Sequence, residues 1–293
     1  MVPGSLTQER VDPPAEADTN PLIRLENIHV GYPLKDGSFK KILDGIDLSI
    51  QRGEFISVVG RTGCGKSTLL RLILGAEMPT EGRVLVDGVE ITRPDRDRGY
   101  VPQKYSLFPD KTVVDNITFG LEVEEFSLLT SFSPHYYKRR KEFRAEAMRQ
   151  LARMGLHASD ATKYPDQLSG GMQQRVAIAQ ALVMKPKILL MDEAFSALDP
   201  GTRAGMQKLI RQVWKETGTT VLFVTHNIPE AVHLGTRVLV LSKGPENEGS
   251  PETNGSGVTL DIPVLAGHSA KTIQKIQAAA GHLEMEGDAE SAP

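Results

Sequence analysis

The chain has 293 residues, with 34 basic and 37 acidic side chains and a net charge of −3. This length accommodates one large domain or two modest ones, and the charge offers no basic field for a nucleic-acid partner. The only cysteine, Cys64, excludes an intramolecular disulfide and a cysteine-based zinc site, which fits a cytosolic location. Because no run of about 18 apolar residues occurs, we expect that the chain does not span a membrane by itself.

The first part of the chain is a polar segment followed by strand patterns. Residues 1–20 are rich in Pro, Glu, Asp and Thr, and we expect a disordered leader there, ahead of a folded domain over 21–243. Apolar runs then predict strands over 22–30, 47–50 and 55–59. Further on, the runs 84–86 and 89–91 flank Asp87-Gly88, a pair that is typical of a hairpin with a primed turn.

The second part predicts helices first and then an alternating α/β pattern. Residues 110–185 are mostly helical in pattern, and the segment 124–140 within them is either a helix-turn elaboration or a docking surface for a partner. From Lys187 onward, three strands alternate with helices over 202–217 and 229–234, which favours a parallel sheet flanked by helices. Residues 244–293 are expected to be a flexible extension with a short strand over 258–263 and a short helix over 269–280.

The segment GRTGCGKST fits the pattern GxxxxGK[ST] between a predicted strand and an apolar helix, which is the context that a P-loop requires. Backbone N–H groups of such a loop form a nest for phosphate, Lys66 can reach the terminal phosphates, and Ser67 can ligate Mg²⁺. A glycine-rich turn without function is the alternative. The candidate nucleotide-binding residues are Gly60, Arg61, Thr62, Gly63, Cys64, Gly65, Lys66, Ser67 and Thr68.

The segment ILLMDE is a continuous apolar run that ends in two carboxylates. Such a run is typical of a strand that is buried on both faces, and ligands of open parallel sheets bind at the carboxyl ends of the strands. Asp192 therefore suits Mg²⁺, directly or through water, while Glu193 could orient or deprotonate an attacking water. The alternative is a solvated acidic end of the strand.

The segment LSGGMQQR opens an apolar-periodic helix with Ser169 as a favoured N-cap. An ordinary cap leaves Gly170 and Gly171 unexplained, because glycine costs a helix roughly 1 kcal/mol against alanine at interior positions. Glycine suits a place where another group approaches the backbone closely, and a helix N-terminus attracts anions. We therefore predict that an anion such as phosphate binds at this helix start.

Two further polar residues follow strand-like segments. His226 comes after the strand pattern TVLFVT, and a role in sensing phosphate is favoured because this strand belongs to the same predicted sheet. Gln103, in GYVPQ, also follows a short β-like segment. By itself, Gln103 is almost no evidence for a functional site.

Together these segments, in this order and with SALD at 196–199, resemble the nucleotide-binding subunit of ABC transporters over about 22–242. The resemblance implies an α/β fold: a P-loop NTPase core with a mixed sheet flanked by helices, an antiparallel β subdomain and a helical subdomain over about 104–185. It implies ATP and Mg²⁺ as cofactors, and two subunits, the chain with a second copy or a relative, that sandwich two ATP molecules beneath a transmembrane permease. An extracytoplasmic solute-binding protein in the same system is also implied.

The same resemblance assigns roles to individual residues. Tyr32 would stack on adenine, Gln103 would contact Mg²⁺ or water and report to the permease, His226 would contact the γ-phosphate, and Asp199 would bridge the subunits. Lys66 would stabilise charge during phosphoryl transfer. The residues that would cap the γ-phosphate of ATP bound to the opposite subunit are Ser169, Gly170, Gly171 and Gln173.

The sequences of these motifs are most similar to those of ATP-binding cassettes of importers for nitrate, sulfonate and taurine. This resemblance implies that the chain lies at the cytoplasmic face of the cell membrane. One departure is Ala194, where the family usually has proline; we expect it to alter the local turn and leave the chemistry intact. The alternative is a soluble ABC ATPase that acts on DNA or ribosomes, against which the absence of a basic stripe counts.

Overall fold

The computed structural model describes residues 20–35, 39–104, 106–126, 134–243, 255–264 and 269–280. The predicted leader, except residue 20, and part of the segment 124–140 lie outside these residues. The described strands form one sheet of ten. No helix in the described ranges has the length and apolar character that a membrane span needs.

One side of the sheet is antiparallel. It consists of β1 (Ile23–Pro33), β2 (Phe39–Ile50), β4 (Glu81–Val86) and β5 (Val89–Glu90). Asp87 and Gly88 connect the last two strands with φ values of 52° and 75°, as a primed turn requires. The hairpin prediction is confirmed, and β2 is much longer than the strand expected over 47–50.

The other side of the sheet contains five parallel strands. They are β3 (Phe55–Gly60), β6 (Arg98–Val101), β7 (Ile188–Asp192), β8 (Thr220–Val224) and β9 (Arg237–Lys243). β3, β7 and β8 are buried at every position, because helices cover both faces of this part of the sheet. The predicted mixed sheet is confirmed, and parallel strands of this kind present their carboxyl ends at one common edge.

Three helices follow parallel strands and pack on this part of the sheet. α1 (Lys66–Leu74) follows β3, α5 (Pro200–Thr217) follows β7, and α6 (Ile228–Leu234) follows β8. One buried cluster packs Ile56, Val58, Leu190 and Val224 against α1 on the first face. A second buried cluster lies on the other face and contains Phe55, Leu189, Met191 and Phe223. The two faces alternate because successive side chains of a strand point to opposite sides of the sheet.

The helical region lies beyond the edge strand β6. It contains α2 (Val113–Glu125), α3 (Pro134–Arg153) and α4 (Gly170–Leu182), with two short 3₁₀ helices at Ala158–Thr162 and Pro165–Gln167. α4 packs against β6 as well as against α2 and α3. The last turns of α4 face β6, since a Cβ on Gly99 would lie 3.2 Å from the Ala181 carbonyl oxygen, whereas the start of α4 packs on Thr202 of α5.

The C-terminal segment contributes two elements to the folded body. β10 (Ser256–Pro263) runs antiparallel to β9 and meets β2 at Ser256, so it joins the two sides of the sheet. The strand order across the sheet is β5-β4-β1-β2-β10-β9-β3-β8-β7-β6. α7 (Ser269–Ala279) packs on α6. The strand and helix predicted for this segment are confirmed, and the apolar contacts of α7 make it part of the core around α6.

Replacing Ile276 by alanine is expected to lower the free energy of unfolding by about 2–5 kcal/mol, the usual cost of such a change in a core. Ile276 is fully buried between α7 and α6, whereas the adjacent Lys275 is exposed. The control Lys275→Ala should therefore change stability by at most about 0.5 kcal/mol. Urea unfolding of the three proteins measures the difference, and equal stability of both variants would contradict the docking of α7 on α6.

Candidate functional site

The candidate residues converge at the carboxyl ends of three adjacent parallel strands. Val58 of β3 is opposite Val224 of β8, which in turn is opposite Asp192 of β7. The P-loop continues from β3 immediately after this row, and Glu193 continues from β7. Because adjacent strands lie about 4.8 Å apart, the backbone of Asp192 lies about 10 Å from that of β3.

The glycines of the P-loop permit a conformation that other residues resist. Gly63 and Gly65 have φ values of 79° and 91°, in the left-handed region. A Cβ atom on Gly60 would lie 2.3 Å from the carbonyl oxygen of Leu241, and one on Gly65 would lie 2.6 Å from the Leu43 side chain. The loop therefore turns tightly between β3 and α1, with its Gly65 end against β2.

Lys66 is the buried cation of this loop, with 6% of its surface exposed. Its Nζ atom donates to the carbonyl oxygens of Gly60 at 2.8 Å and Arg61 at 3.1 Å. An ammonium group has three donors, so these two bonds hold the side chain across the loop and leave a further donor for a phosphate oxygen. The burial of Lys66 and the donor left on its ammonium group both fit a loop that binds phosphate.

The remaining residues of the loop supply backbone and hydroxyl groups. Cys64 is buried, and burial raises the pKa of its thiol, so its backbone is the part that suits a phosphate. Ser67 lies in the first turn of α1, beside Thr68, whose Oγ1 atom accepts from Arg71 Nη2 at 3.1 Å. Arg61 and Thr62 are exposed at the front of the loop.

Tyr32 lies near the end of β1 with 42% of its surface exposed, as a residue that stacks on a base would. Its hydroxyl donates to Glu77, which in turn accepts from Arg71 Nε at 2.9 Å. Arg71 belongs to α1, so this chain of contacts connects Tyr32 to the P-loop helix. The desolvation of the phenol and its bond to Glu77 raise the pKa of Tyr32.

Asp192 ends β7 and is 8% exposed. The Tyr100 hydroxyl, on β6, donates to its Oδ2 atom at 3.4 Å. Burial and the Asp192 charge raise the pKa of Tyr100 to about 12, so the phenol stays protonated and remains a donor. Sequence reasoning missed Tyr100.

The carboxylate of Glu193 contacts two residues that are far from it in the sequence. Gln103 Nε2 donates to its Oε2 atom at 3.0 Å, and His226 Nδ1 lies 3.7 Å from the same oxygen. The backbone of Glu193 has a φ of 45° and its N–H group donates to the Val224 carbonyl at 3.0 Å. The carboxylate is therefore directed between the loop after β6 and the loop after β8.

A buried polar network lies behind His226. Glu230 accepts from Thr225 Oγ1 at 2.6 Å and from Gln207 Nε2 at 2.8 Å, while Asn227 caps α6 by accepting from the Glu230 N–H group at 2.9 Å. These bonds fix the turn that carries His226. The histidine itself is 58% exposed and free to meet a ligand.

The start of α4 has the predicted N-cap. Ser169 Oγ accepts from the Met172 N–H group at 3.3 Å, and both Ser169 and Gly170 are exposed. Gly171 has a packing reason to be glycine, since a Cβ there would lie 2.6 Å from the Thr202 side chain on α5. The argument that an ordinary cap leaves both glycines unexplained is therefore wrong for Gly171, and holds for the exposed Gly170.

Gln173 and Asp199 both have local structural partners. Gln173 Nε2 donates to the carbonyl oxygens of Pro165 at 2.8 Å and Leu168 at 3.3 Å, so its Oε1 atom is the one left for a ligand. Asp199 caps α5, and its bonds to Thr202, whose N–H group donates at 3.0 Å, lower the pKa of the carboxyl. Asp199 therefore lies next to the residue that packs on Gly171.

The helix start at Ser169 is bonded within α4 and packed on α5. Ser169 caps Met172, and Gly171 faces Thr202. Among the described residues, no hydrogen bond joins this helix start to the P-loop, whose Lys66 bonds to Gly60 and Arg61.

Oxygen donors for a cation are available beside the loop. Ser67 and Asp192, with the amide of Gln103, are the donor types that Mg²⁺ accepts, with phosphate and water completing its coordination. The described residues contain no group of three or more His, Cys, Asp or Glu side chains that could hold a metal by themselves. This set fits a magnesium ion that arrives with a nucleotide.

Comparison with known proteins agrees with this site. The family model described as ABC transporter matches residues 43–196. The chain is 46% identical to the ABC transporter ATP-binding protein MJ0412 of Methanocaldococcus jannaschii, over 76% of this chain and 78% of that protein. It is 44% identical to the nitrate import ATP-binding protein NrtD of Synechococcus elongatus, over 73% of this chain and 74% of that one.

Another relative is longer than this chain. The bicarbonate transport ATP-binding protein CmpC of Synechococcus elongatus is 45% identical over 82% of this chain, which spans only 34% of that protein. Among solved structures, the post-hydrolysis dimer of the ATP-binding cassette MJ0796 with ADP and Pi matches with a TM-score of 0.67 and 31% identity. The match covers 83% of this chain and 99% of that one. The fold, the motifs and these matches together show that the chain belongs to the ABC transporter family.

Proposed function

We propose that the chain is the ATP-binding and ATP-hydrolysing subunit of an ABC importer. The observation that carries this proposal is the convergence of Gln103 and His226 on one carboxylate oxygen of Glu193, beside a P-loop with a buried lysine. A carboxylate held in this way can orient or deprotonate water, and phosphoryl transfer otherwise needs mainly positioning and charge stabilisation.

The cofactors would be ATP and Mg²⁺. Tyr32 would hold adenine, the P-loop backbone and Lys66 the phosphates, and Ser67 and Asp192 the cation, with Gln103 near it. Mg²⁺ supplies charge neutralisation on the β- and γ-phosphates when bound. His226, exposed and borne on a rigid turn, would contact the γ-phosphate.

The working assembly would contain two ATP-binding subunits. The helix start with Ser169, Gly170, Gly171 and Gln173 makes no hydrogen bond to the P-loop of its own chain in the described residues, and MJ0796 forms a dimer in its solved structure. A second copy, or a related subunit, would bring this helix start to the γ-phosphate, and Asp199 would lie at the same interface. A transmembrane permease and a solute-binding protein would complete the system, with this subunit at the cytoplasmic face of the membrane.

The solute would be a small anion. Two of the relatives named above are described as nitrate import and bicarbonate transport proteins, and an aliphatic sulfonates import protein of Bacillus cereus is 38% identical over 73% of this chain. This range includes the nitrate and sulfonate classes expected from the motifs. The alternative, a soluble ATPase that acts on DNA or ribosomes, receives no support from these relatives.

For the organisation of the chain, we propose an ATPase domain over 21–243 with a helical subdomain over about 104–185. Residues 1–20 would precede it as a leader and 244–293 would follow as an extension. Within that extension, the pairing of β10 with β9 and the packing of α7 on α6 support counting 255–264 and 269–280 with the folded body.

The proposal is tested by isolating the tagged full-length chain from its native membranes in mild detergent. We expect it to copurify with an integral membrane protein and to hydrolyse ATP only when Mg²⁺ is present. Copurification with ribosomes or DNA instead would assign it to the alternative class. A preparation that binds no ATP would overturn both.

A further inference from the structure

Tyr100 and Asp192 are neighbours on one face of the sheet. In the parallel pairing of β6 with β7, Tyr100 is opposite Leu190, so Asp192 is its diagonal neighbour two residues farther along. Residues two apart on a strand share a face, and diagonal neighbours are within reach of an aromatic side chain. The phenol accordingly reaches Asp192 Oδ2 at 3.4 Å.

Asp192 needs such a partner. The residue is only 8% exposed, and a buried carboxylate without hydrogen bonds is costly. Within the described ranges, the Tyr100 hydroxyl is the only donor found for this side chain. The bond occupies Oδ2 and leaves Oδ1 for a cation or for a water that the cation holds.

The ring of Tyr100 is itself held in place. It packs against the buried cluster around α1, and Tyr100 also lines a cavity of about 300 Å³ together with Pro102 and Phe119. The packing on the core limits the rotamers of the ring, so its hydroxyl keeps the direction of Asp192. The hydroxyl can therefore fix the orientation of the carboxylate.

We propose that Tyr100 is a positioning residue of the metal site, whose hydroxyl orients the Asp192 carboxylate for the magnesium that accompanies ATP. The inference rests on the proposed function, because it needs a nucleotide-bound cation at Asp192. Groups that orient metal ligands in this way typically contribute about 10- to 100-fold to metal affinity. The bond here is long for an O–H···O contact, which places the effect at the lower end of that range.

The experiment uses the change Tyr100→Phe, which removes the hydroxyl and keeps the ring. It is made in the full-length chain that carries Glu193→Gln, so that ATP is not consumed, and Mn²⁺ replaces Mg²⁺ as a paramagnetic probe. Electron paramagnetic resonance then measures free Mn²⁺ during titration of the ATP complex. We expect about tenfold weaker Mn²⁺ binding, while ATP binding in EDTA, followed by equilibrium dialysis, stays unchanged.

The matched control is Tyr137→Phe, which removes the hydroxyl of a tyrosine on α3 that is 66% exposed. It should leave both measurements unchanged. Equal Mn²⁺ affinity in the Tyr100→Phe and parent proteins would overturn the inference, and so would an equal loss of ATP binding in EDTA, which would indicate a merely structural role. Failure of the parent protein to bind ATP at all would instead overturn the proposed function.

Discussion

Replacing Glu193 by glutamine is expected to lower ATP turnover by about 10²- to 10⁴-fold, the usual contribution of a general base. The amide keeps the size of the side chain and an oxygen that can accept from Gln103, so the local fold should persist. What it loses is the ability to take a proton from water. ATP binding depends on the P-loop and Lys66 and should change little, so an ATP-bound dimer should accumulate.

Single-turnover hydrolysis and equilibrium ATP binding separate these two effects. The control is Glu90→Gln, which makes the same chemical change at an exposed position on β5, in the antiparallel part of the sheet. Its turnover should match that of the unchanged protein. Normal turnover in a pure preparation of Glu193→Gln would remove Glu193 from the role of base.

The cluster around Glu193 was predictable in part because each member follows a strand pattern. Asp192 and Glu193 end a continuous apolar run, and His226 follows another, so the rule for carboxyl ends of parallel strands places them at one edge. Gln103 follows the weaker pattern GYVPQ, which alone indicated little. Its bond to Glu193 depends on β6 pairing with β7, a contact between segments 90 residues apart in the chain.

Tyr100 shows the limit of sequence reasoning at this site. Its relation to Asp192 follows from the register of two strands, and a shift of one residue would turn the phenol to the other face of the sheet. The register between β6 and β7 cannot be predicted from the local sequence. Once the pairing of Tyr100 with Leu190 is known, the diagonal contact with Asp192 can be read directly.

Two other features depend on distant partners. A short strand and a short helix are predicted in the C-terminal segment, but the sequence does not predict that β10 joins β9 to β2 or that α7 buries Ile276 on α6. Likewise, the glycine at 171 is explained by Thr202, a side chain 31 positions away that no helix-start rule identifies. In both cases a distant partner decides the structure.

Replacing Ser169 by arginine is expected to abolish ATP-driven dimerisation and turnover while each monomer still binds ATP. Ser169 and Gly170 are the exposed part of the helix start, and a second subunit would have to approach them closely. The arginine side chain would fill that approach, and its charge lies at the positive end of the helix dipole, which is unfavourable. The P-loop of the same chain shares no described hydrogen bond with this helix start, so ATP binding by the monomer should persist.

The control Ser169→Ala separates the loss of the cap from the effect of added bulk. It removes the bond to Met172, at a cost of about 0.5–2 kcal/mol in stability, but leaves the approach open. Light scattering after gel filtration, in the Glu193→Gln background with ATP, should detect dimers for alanine and only monomers for arginine. Since a tenfold weaker dimer corresponds to about 1.4 kcal/mol, the protein concentration is varied over two decades. Full activity or unchanged dimerisation of Ser169→Arg would mean that α4 does not complete the ATP site of a second subunit.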